Sequence, residues 1–143
     1  MFLLLILYAA YTDYTRREIP NSIILYIYVL SLASNNLIFE RITGFLIPAL
    51  PLFFIALKYD GIQGGDVKFL SAVGAYLGLF NLALVLIPTT VTAVVWSYVR
   101  SEKSVPLATV FCIGYIIFKI IIFLKTRMHR IRAFNDIKWF IWN

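Results

Sequence analysis

Residues 82–99 read LALVLIPTTVTAVVWSYV, a run of apolar and small polar side chains that contains no charge. A run of this length and character is typical of a helix that crosses a membrane. No apolar segment of the chain shows the period-two alternation of a membrane β-barrel strand. The sequence therefore predicts an all-α fold, a polytopic transmembrane bundle of about six helices. The apolar segments lie at approximately 1–13, 21–39, 42–57, 66–80, 82–99 and 105–124.

The composition supports a lipid environment. Of the 143 residues, 62% are hydrophobic and only 14% are charged, and the mean hydropathy is +0.87. A soluble domain carries about 25% charged residues. A small soluble protein cannot hide so much apolar side chain, because much of its surface must face water. We therefore expect the lipid bilayer to surround most of the chain.

The basic residues stand in short clusters between the apolar runs, and the formal net charge is +6. This pattern is typical of loops anchored at a membrane surface, and it argues against nucleic acid as a partner. Basic residues gather at the segment ends that alternate spans place on one side, and the positive-inside rule makes that side cytoplasmic. The basic residues on that side are Arg16, Arg17, Lys58, Lys68, Arg100 and Lys103. We expect a multi-pass protein of the cell (plasma) membrane.

The chain divides into a predicted membrane bundle, residues 1–124, and a basic aromatic C-terminal tail, residues 125–143. With six full spans the tail emerges on the side opposite the basic loops. Two interpretations follow from the sequence: the last segment does not fully cross, or the tail lies along the outer interface. The sequence does not indicate the oligomeric state.

Cysteine and histidine are scarce. Cys112 stands alone inside an apolar segment, which favours a buried structural thiol, and His129 lies in the basic tail without partners. The sequence predicts neither a metal site nor a cofactor.

Two acidic residues differ from the solvated loop charges, because each lies where a loop meets an apolar helix. Asp13 closes the first segment in YAAYTDYTRREIPN, residues 8–21, and Asp66 opens the fourth in GIQGGDVKFLSAVG, residues 61–74. An ionisable group against the bilayer is costly and is a functional candidate by default. Asp66 at a helix start has an alternative as a cap, whereas Asp13 at a helix end meets an unfavourable dipole.

The two aspartates, placed on one side by the orientation argument, form a candidate catalytic pair. Two carboxyl groups a few Å apart share a proton, so that one acts as a base and the other as an acid. Such a pair hydrolyses a peptide bond with water as the nucleophile. Small residues at Ser71, Gly74 and Gly78 predict close helix packing in the fourth segment.

These motifs resemble the type IV prepilin peptidase family, including archaeal prepilin and archaellin peptidases, which are membrane aspartic proteases. The family's first aspartate precedes a basic stretch and Ile-Pro-Asn, matched here by Asp13, Arg16–Arg17 and 19–21. Its second lies in a glycine-rich GxGD motif that continues into Asp-Val-Lys, matched here by 64–68. Gln63 departs from the motif, because it replaces the first glycine. A late helix in the family opens with a proline-led motif, which Pro106 resembles.

The resemblance implies a compact membrane aspartic endopeptidase with Asp13 and Asp66 as catalytic residues and no cofactor. Its expected substrates are prepilin-like precursors, such as type IV pilin or archaellin precursors, whose short basic leader is cut at the cytoplasmic membrane face. Because the chain has a single cysteine, we expect it to lack the N-methyltransferase activity of many bacterial members. Candidate residues for substrate or site support are Gly64, Gly65, Lys68, Pro20 and Asn21.

Two other functions compete with a protease. A small ion or proton-coupled transporter component would use intramembrane acids to relay protons, but it predicts acids in the middle of helices. Here they lie at the ends. A non-enzymatic scaffold subunit of a membrane machine predicts that loss of either aspartate is harmless.

Overall fold

The computed structural model describes residues 1–34, 36–58, 64–100 and 105–142, with side chains as far as residue 128. The described residues form six helices and no strand, which confirms the predicted all-α helix bundle. The helices are α1 (Phe2–Arg16), α2 (Asn21–Leu32), α3 (Ile38–Lys58), α4 (Gly64–Leu77), α5 (Leu79–Arg100) and α6 (Leu107–Trp142).

Aromatic contacts fix the direction of the helices. The ring of Phe2, at the start of α1, stacks on that of Tyr76, near the end of α4, with centroids 3.9 Å apart. The ring of Tyr14, at the other end of α1, meets that of Trp96, near the end of α5, at 6.2 Å. The last turns of α1 and α5 therefore share one end of the bundle with the first turn of α4. The first turn of α6 is bonded to α1 at this end, and the residue before Pro20 and α2 lies beside the first turn of α4. We call this the aspartate end.

Helix α4 lies at the centre of the bundle. It packs against α2, α3, α5 and α6, and most of its residues between 69 and 77 are buried. Small side chains such as Ser71, Ala72 and Ala75 let four neighbours approach one helix. The predicted role of small residues in packing the fourth segment therefore has a structural basis.

The closest approach joins α3 and α4 through two glycines. A Cβ atom added to Gly74 would overlap the carbonyl oxygen of Gly44, and a Cβ atom added to Gly44 would overlap that of Gly74. The two helix backbones touch at this point, and no side chain fits between them. Gly44 is a lone glycine in an apolar segment, and no sequence pattern predicts this contact.

Gly78 has a different role from the one that its spacing suggested. Its φ of +77° lies in the left-handed region, and its N–H donates to the carbonyl of Gly74 at 2.9 Å. This is the helix-ending geometry that glycine adopts without steric cost. The predicted segment 66–80 is therefore interrupted at Gly78, where α4 ends and α5 begins.

The outer helices have the surface that lipid requires. Three helical stretches are long and apolar enough to cross a membrane: Ile38–Lys58, Leu79–Arg100 and Leu107–Met128. Many large apolar side chains on α3 and α5 are exposed, among them Leu50, Phe54, Val91 and Val94. Exposure on this scale suits a bilayer, in which the backbone is satisfied inside the helices and side chains face acyl chains.

The remaining helices are short. Helices α1, α2 and α4 have 15, 12 and 14 residues, and at 1.5 Å per residue each is about 18–22 Å long. A hydrocarbon core is about 30 Å thick. Helix α6 instead runs without interruption for 36 residues, about 54 Å, and includes residues 125–142 of the predicted tail.

The glycine contact leads to a stability prediction. We expect Gly74→Ala to lower the free energy of unfolding by about 1–3 kcal/mol, because the added methyl group forces the α3 and α4 backbones apart. The measurement is the thermal unfolding midpoint in detergent.

Gly65→Ala is the matched control, because an added Cβ atom there meets only the Cβ atom of Ile19, at 4.0 Å, among the described residues. Equal midpoints for Gly74→Ala and Gly65→Ala would show that the α3–α4 contact does not constrain the fold.

Candidate functional site

Asp13 faces the interior of the bundle. It lies on the buried face of α1 that also carries Phe2, Ile6 and Ala9, since these positions are three or four residues apart. Only 4% of Asp13 is exposed. The helix pattern, and not a loop, therefore points this carboxyl group inward.

The partners of Asp13 are backbone groups of α6. Its Oδ2 atom accepts hydrogen bonds from the N–H of Ala108 at 2.8 Å and from the N–H of Thr109 at 3.3 Å. The first N–H groups of any helix lack partners within that helix. Asp13 supplies an acceptor across the bundle, from a residue 95 positions earlier in the chain.

A third hydrogen bond fastens the same two helices. The Thr109 hydroxyl donates to the backbone carbonyl of Ala10 at 3.0 Å, one turn before Asp13. Asp13 is therefore held between its own helix and the first turn of α6 by side-chain and backbone contacts together.

Opposing influences act on the Asp13 carboxyl group. Burial favours the neutral acid, whereas the two N–H donors and the positive end of the α6 dipole favour the carboxylate. Arg17 adds an attractive charge. Its φ of 56° is left-handed, and its N–H donates to the Asp13 carbonyl at 3.0 Å, so α1 ends immediately after the aspartate.

Asp66 is the third residue of α4 and is half-buried. One turn later, Phe69 is fully buried and its ring meets that of Phe111 edge to face at 5.7 Å. Phe111 lies one turn after Ala108, which binds Asp13. Asp66 and Asp13 therefore both lie at the aspartate end, each about one turn from the same aromatic contact.

The residues predicted to support the substrate or the site lie at the starts of α2 and α4. Pro20 precedes α2 and Asn21 begins it, and both are exposed. Gly64 and Gly65 are the first residues of α4, and Lys68 is exposed one turn along. Ile19, which is buried, lies beside Gly65. Gln63, the departure from the motif, lies outside the described residues.

Two contacts at the aspartate end were not predicted from the sequence. One is the first turn of α6, for which Pro106 was the only signal. The other is Arg100, whose guanidinium donates to the Tyr14 hydroxyl at 3.1 Å and lies 4.9 Å from the Trp96 ring centroid. It links the end of α5 to the end of α1.

Within the described part of the chain, no three His, Cys, Asp or Glu side chains are grouped as a metal site would need. Cys112 is buried, as predicted for a structural thiol. The groups described at this end include carboxyl groups, backbone N–H donors and basic side chains.

Comparison with known proteins identifies the family. A model of the type IV leader peptidase family matches residues 1–98, which contain both aspartates and all or most of α1 to α5. Searches of curated proteins and of solved structures give no significant match. Because the match covers more than half of the chain, and because the helices are apolar enough to span a membrane, the chain belongs to the type IV leader peptidase family and is a membrane peptidase.

Proposed function

We propose that the chain is an aspartic endopeptidase in which Asp13 and Asp66 form the catalytic pair. The observation that carries this proposal is the burial of the Asp13 carboxyl group at the same end of the bundle as Asp66. A carboxyl group buried in an apolar bundle is costly unless it is bonded or functional. Among the described residues, the N–H donors of Ala108 and Thr109 both reach Oδ2, which leaves Oδ1 to act on another group.

The reaction needs one proton shared by the pair. The ionised carboxylate takes a proton from a water molecule, whose oxygen attacks the scissile carbonyl carbon. The protonated carboxyl group donates its proton to the carbonyl oxygen, which gives a neutral tetrahedral diol. The protonated carboxyl group then donates its proton to the amide nitrogen while the other carboxylate takes a proton from one diol hydroxyl. The C–N bond breaks, an amine and a carboxylic acid are released, and the pair again shares one proton.

The proposed substrates are prepilin-like precursors with a short basic leader and an apolar helix, as the family implies. The aspartate end suits such a substrate, because the apolar helix would remain in the bilayer while the leader stays at the membrane boundary. The charges at this end predict that it faces the cytoplasm. Because the chain has one cysteine, the proposed activity is cleavage without N-methylation.

The proposal predicts that both aspartates are required. We expect Asp13→Asn and Asp66→Asn each to reduce cleavage of a pilin-type precursor by at least about 100-fold, because an amide neither takes up nor releases the catalytic proton. Cleavage is measured in membranes as a mobility shift of the precursor, alongside the amount of accumulated enzyme.

Glu40→Gln is the matched control, since Glu40 is an exposed acid on α3 at the opposite end of the bundle. This control should cleave as wild type. Near-normal cleavage by either aspartate variant would refute the pair. A wild-type protein that cuts no such precursor would refute the substrate class.

The glycines beside Asp66 give a second prediction. Neither Gly64 nor Gly65 has a positive φ, and an added Cβ atom meets no described atom within 4 Å at Gly64 and only Ile19 at Gly65. The fold of the described residues therefore does not require glycine at either position. A substrate backbone that passes close to Asp66 would require it.

We accordingly expect Gly64→Ala and Gly65→Ala to accumulate and unfold like wild type, while kcat/KM for the precursor falls roughly tenfold or more, because a displacement near 1 Å is costly to catalysis. The measurements are the unfolding midpoint and initial cleavage rates. Unchanged rates in both variants would show that the substrate does not approach this turn.

A further inference from the structure

We propose that a groove between α5 and α6 binds an anionic phospholipid, with an acyl chain along the groove and the phosphate at Arg100. We call it the lateral groove: Val91, Val95 and Val99 of α5 and Ile113 of α6 line it, and Arg100 lies at one end. The inference goes beyond the proposed function and does not depend on it, because lipid binding is measured without a substrate.

The lateral groove is apolar along its length and faces outward. Its three valines are four residues apart, so they share one face of α5, and each is more than half exposed. Thr92, the polar residue among them, directs its hydroxyl to backbone carbonyls, among them that of Val110. Both helices are long and apolar enough to span a membrane. The groove therefore opens toward the acyl chains of the bilayer.

The size of the groove suits a single chain better than a helix. Its volume is about 340 Å³, near the lower limit of small-ligand sites, which span about 300–1,000 Å³. A helix is about 10–12 Å across, so three turns of it would need roughly 1,000 Å³ or more. An acyl chain is a single row of CH₂ groups, and each group gains free energy when it is buried against apolar side chains.

Arg100 gives one end of the groove a fixed positive charge. It is the last residue of α5 and lies at the aspartate end, where a spanning helix reaches the headgroup layer. Its guanidinium donates to the Tyr14 hydroxyl at 3.1 Å and lies 4.9 Å from the Trp96 ring centroid. These contacts orient the guanidinium, whose five N–H donors can serve several partners at once.

A phosphate is the group that fits this end of the groove. Arginine matches phosphate oxygens through two parallel hydrogen bonds, and tryptophan, here Trp96, is typical of the headgroup layer. Basic sites between membrane helices bind anionic head groups. The proposed substrate is a poorer match, because its basic leader would be repelled by Arg100 at the same membrane boundary. Charge and shape therefore favour the same occupant.

The test measures how far a lipid raises the thermal unfolding midpoint of the full chain in detergent. The probes are phosphatidylglycerol, which is anionic, and phosphatidylcholine with the same acyl chains. We expect phosphatidylglycerol to raise the midpoint by about 4 °C more than phosphatidylcholine, because a ligand that binds only the folded state stabilises it. Glycerol 3-phosphate at the same concentration should leave the midpoint unchanged, since it has no chain to occupy the groove.

Two variants separate the head group from the chain. Arg100→Gln removes the charge, and Val95→Phe fills the groove from an exposed position that leaves the core intact. Each should abolish most of the difference between the two lipids. Because the measured quantity is the response to lipid, a change in the midpoint of the variant itself does not affect the comparison.

Each variant has a matched control. For the charge it is Arg127→Gln: the Arg127 guanidinium also lies over an aromatic ring, 5.8 Å from the Phe123 centroid, but about 30 Å along α6 from its first turn. For the added ring it is Val94→Phe, since Val94 is exposed on α5 outside the groove. Both controls should respond to lipid as the wild type does.

The opposite outcomes overturn the proposal. A full lipid response in Arg100→Gln would show that the phosphate binds elsewhere, and a full response in Val95→Phe would show the same of the chain. An equal response to phosphatidylcholine would show that the charge of the head group is not recognised, and one to glycerol 3-phosphate would make the ligand a free phosphate. Stabilisation by a pilin-type precursor and not by phosphatidylglycerol, lost in Val95→Phe, would assign the groove to the substrate helix.

Discussion

The carboxyl group of Asp13 joins the first helix to the last, and the geometry of the aspartate end depends on this contact. Residue 13 binds residues 108 and 109 through backbone N–H groups, so α1 and α6 are fixed relative to each other where both meet the site. Those N–H groups have no partner within α6, and in an apolar bundle an unpaired donor is costly. One buried side chain thus satisfies the start of a helix and becomes oriented by it.

The central helix completes the arrangement. Helix α4 brings Asp66 to the aspartate end because its next turn packs on α6 through the Phe69–Phe111 contact. At its middle it touches α3 backbone to backbone through Gly74 and Gly44, and it ends at Gly78. Small residues therefore place a short helix among four neighbours, and this packing determines where its first turn lies. The site is built from helix ends, which suits a peptidase that acts at a membrane boundary.

Several features followed from the sequence because their physical signals are local. Charge-free runs indicated the helices, and rare acids at helix ends indicated Asp13 and Asp66. The predicted ends of the helices agreed less well with the structure. The predicted helix 21–39 stops at Leu32, where the guanidinium of Arg41 binds the carbonyls of Leu32 and Ser34. That contact comes from the next helix, and it has no local sequence pattern.

Contacts between distant backbones were beyond the sequence argument. Gly74 belonged to a recognisable spacing, but its partner Gly44 is a lone glycine whose importance appears only when α3 and α4 are packed. Likewise, the donors to Asp13 are main-chain atoms, which every residue except proline provides. Pro106 was the one sequence signal for the start of α6, since proline is common at helix starts.

The central claim is that Asp13 and Asp66 act as one pair. Its most direct measurement combines Asp13→Cys and Asp66→Cys in a Cys112→Ala background, which removes the only native cysteine, with a short thiol-to-thiol reagent applied to membranes in the presence of precursor. We predict an intramolecular cross-link, and none when Glu40→Cys replaces Asp66→Cys. The absence of a cross-link, although each cysteine reacts singly with the reagent, would contradict the account.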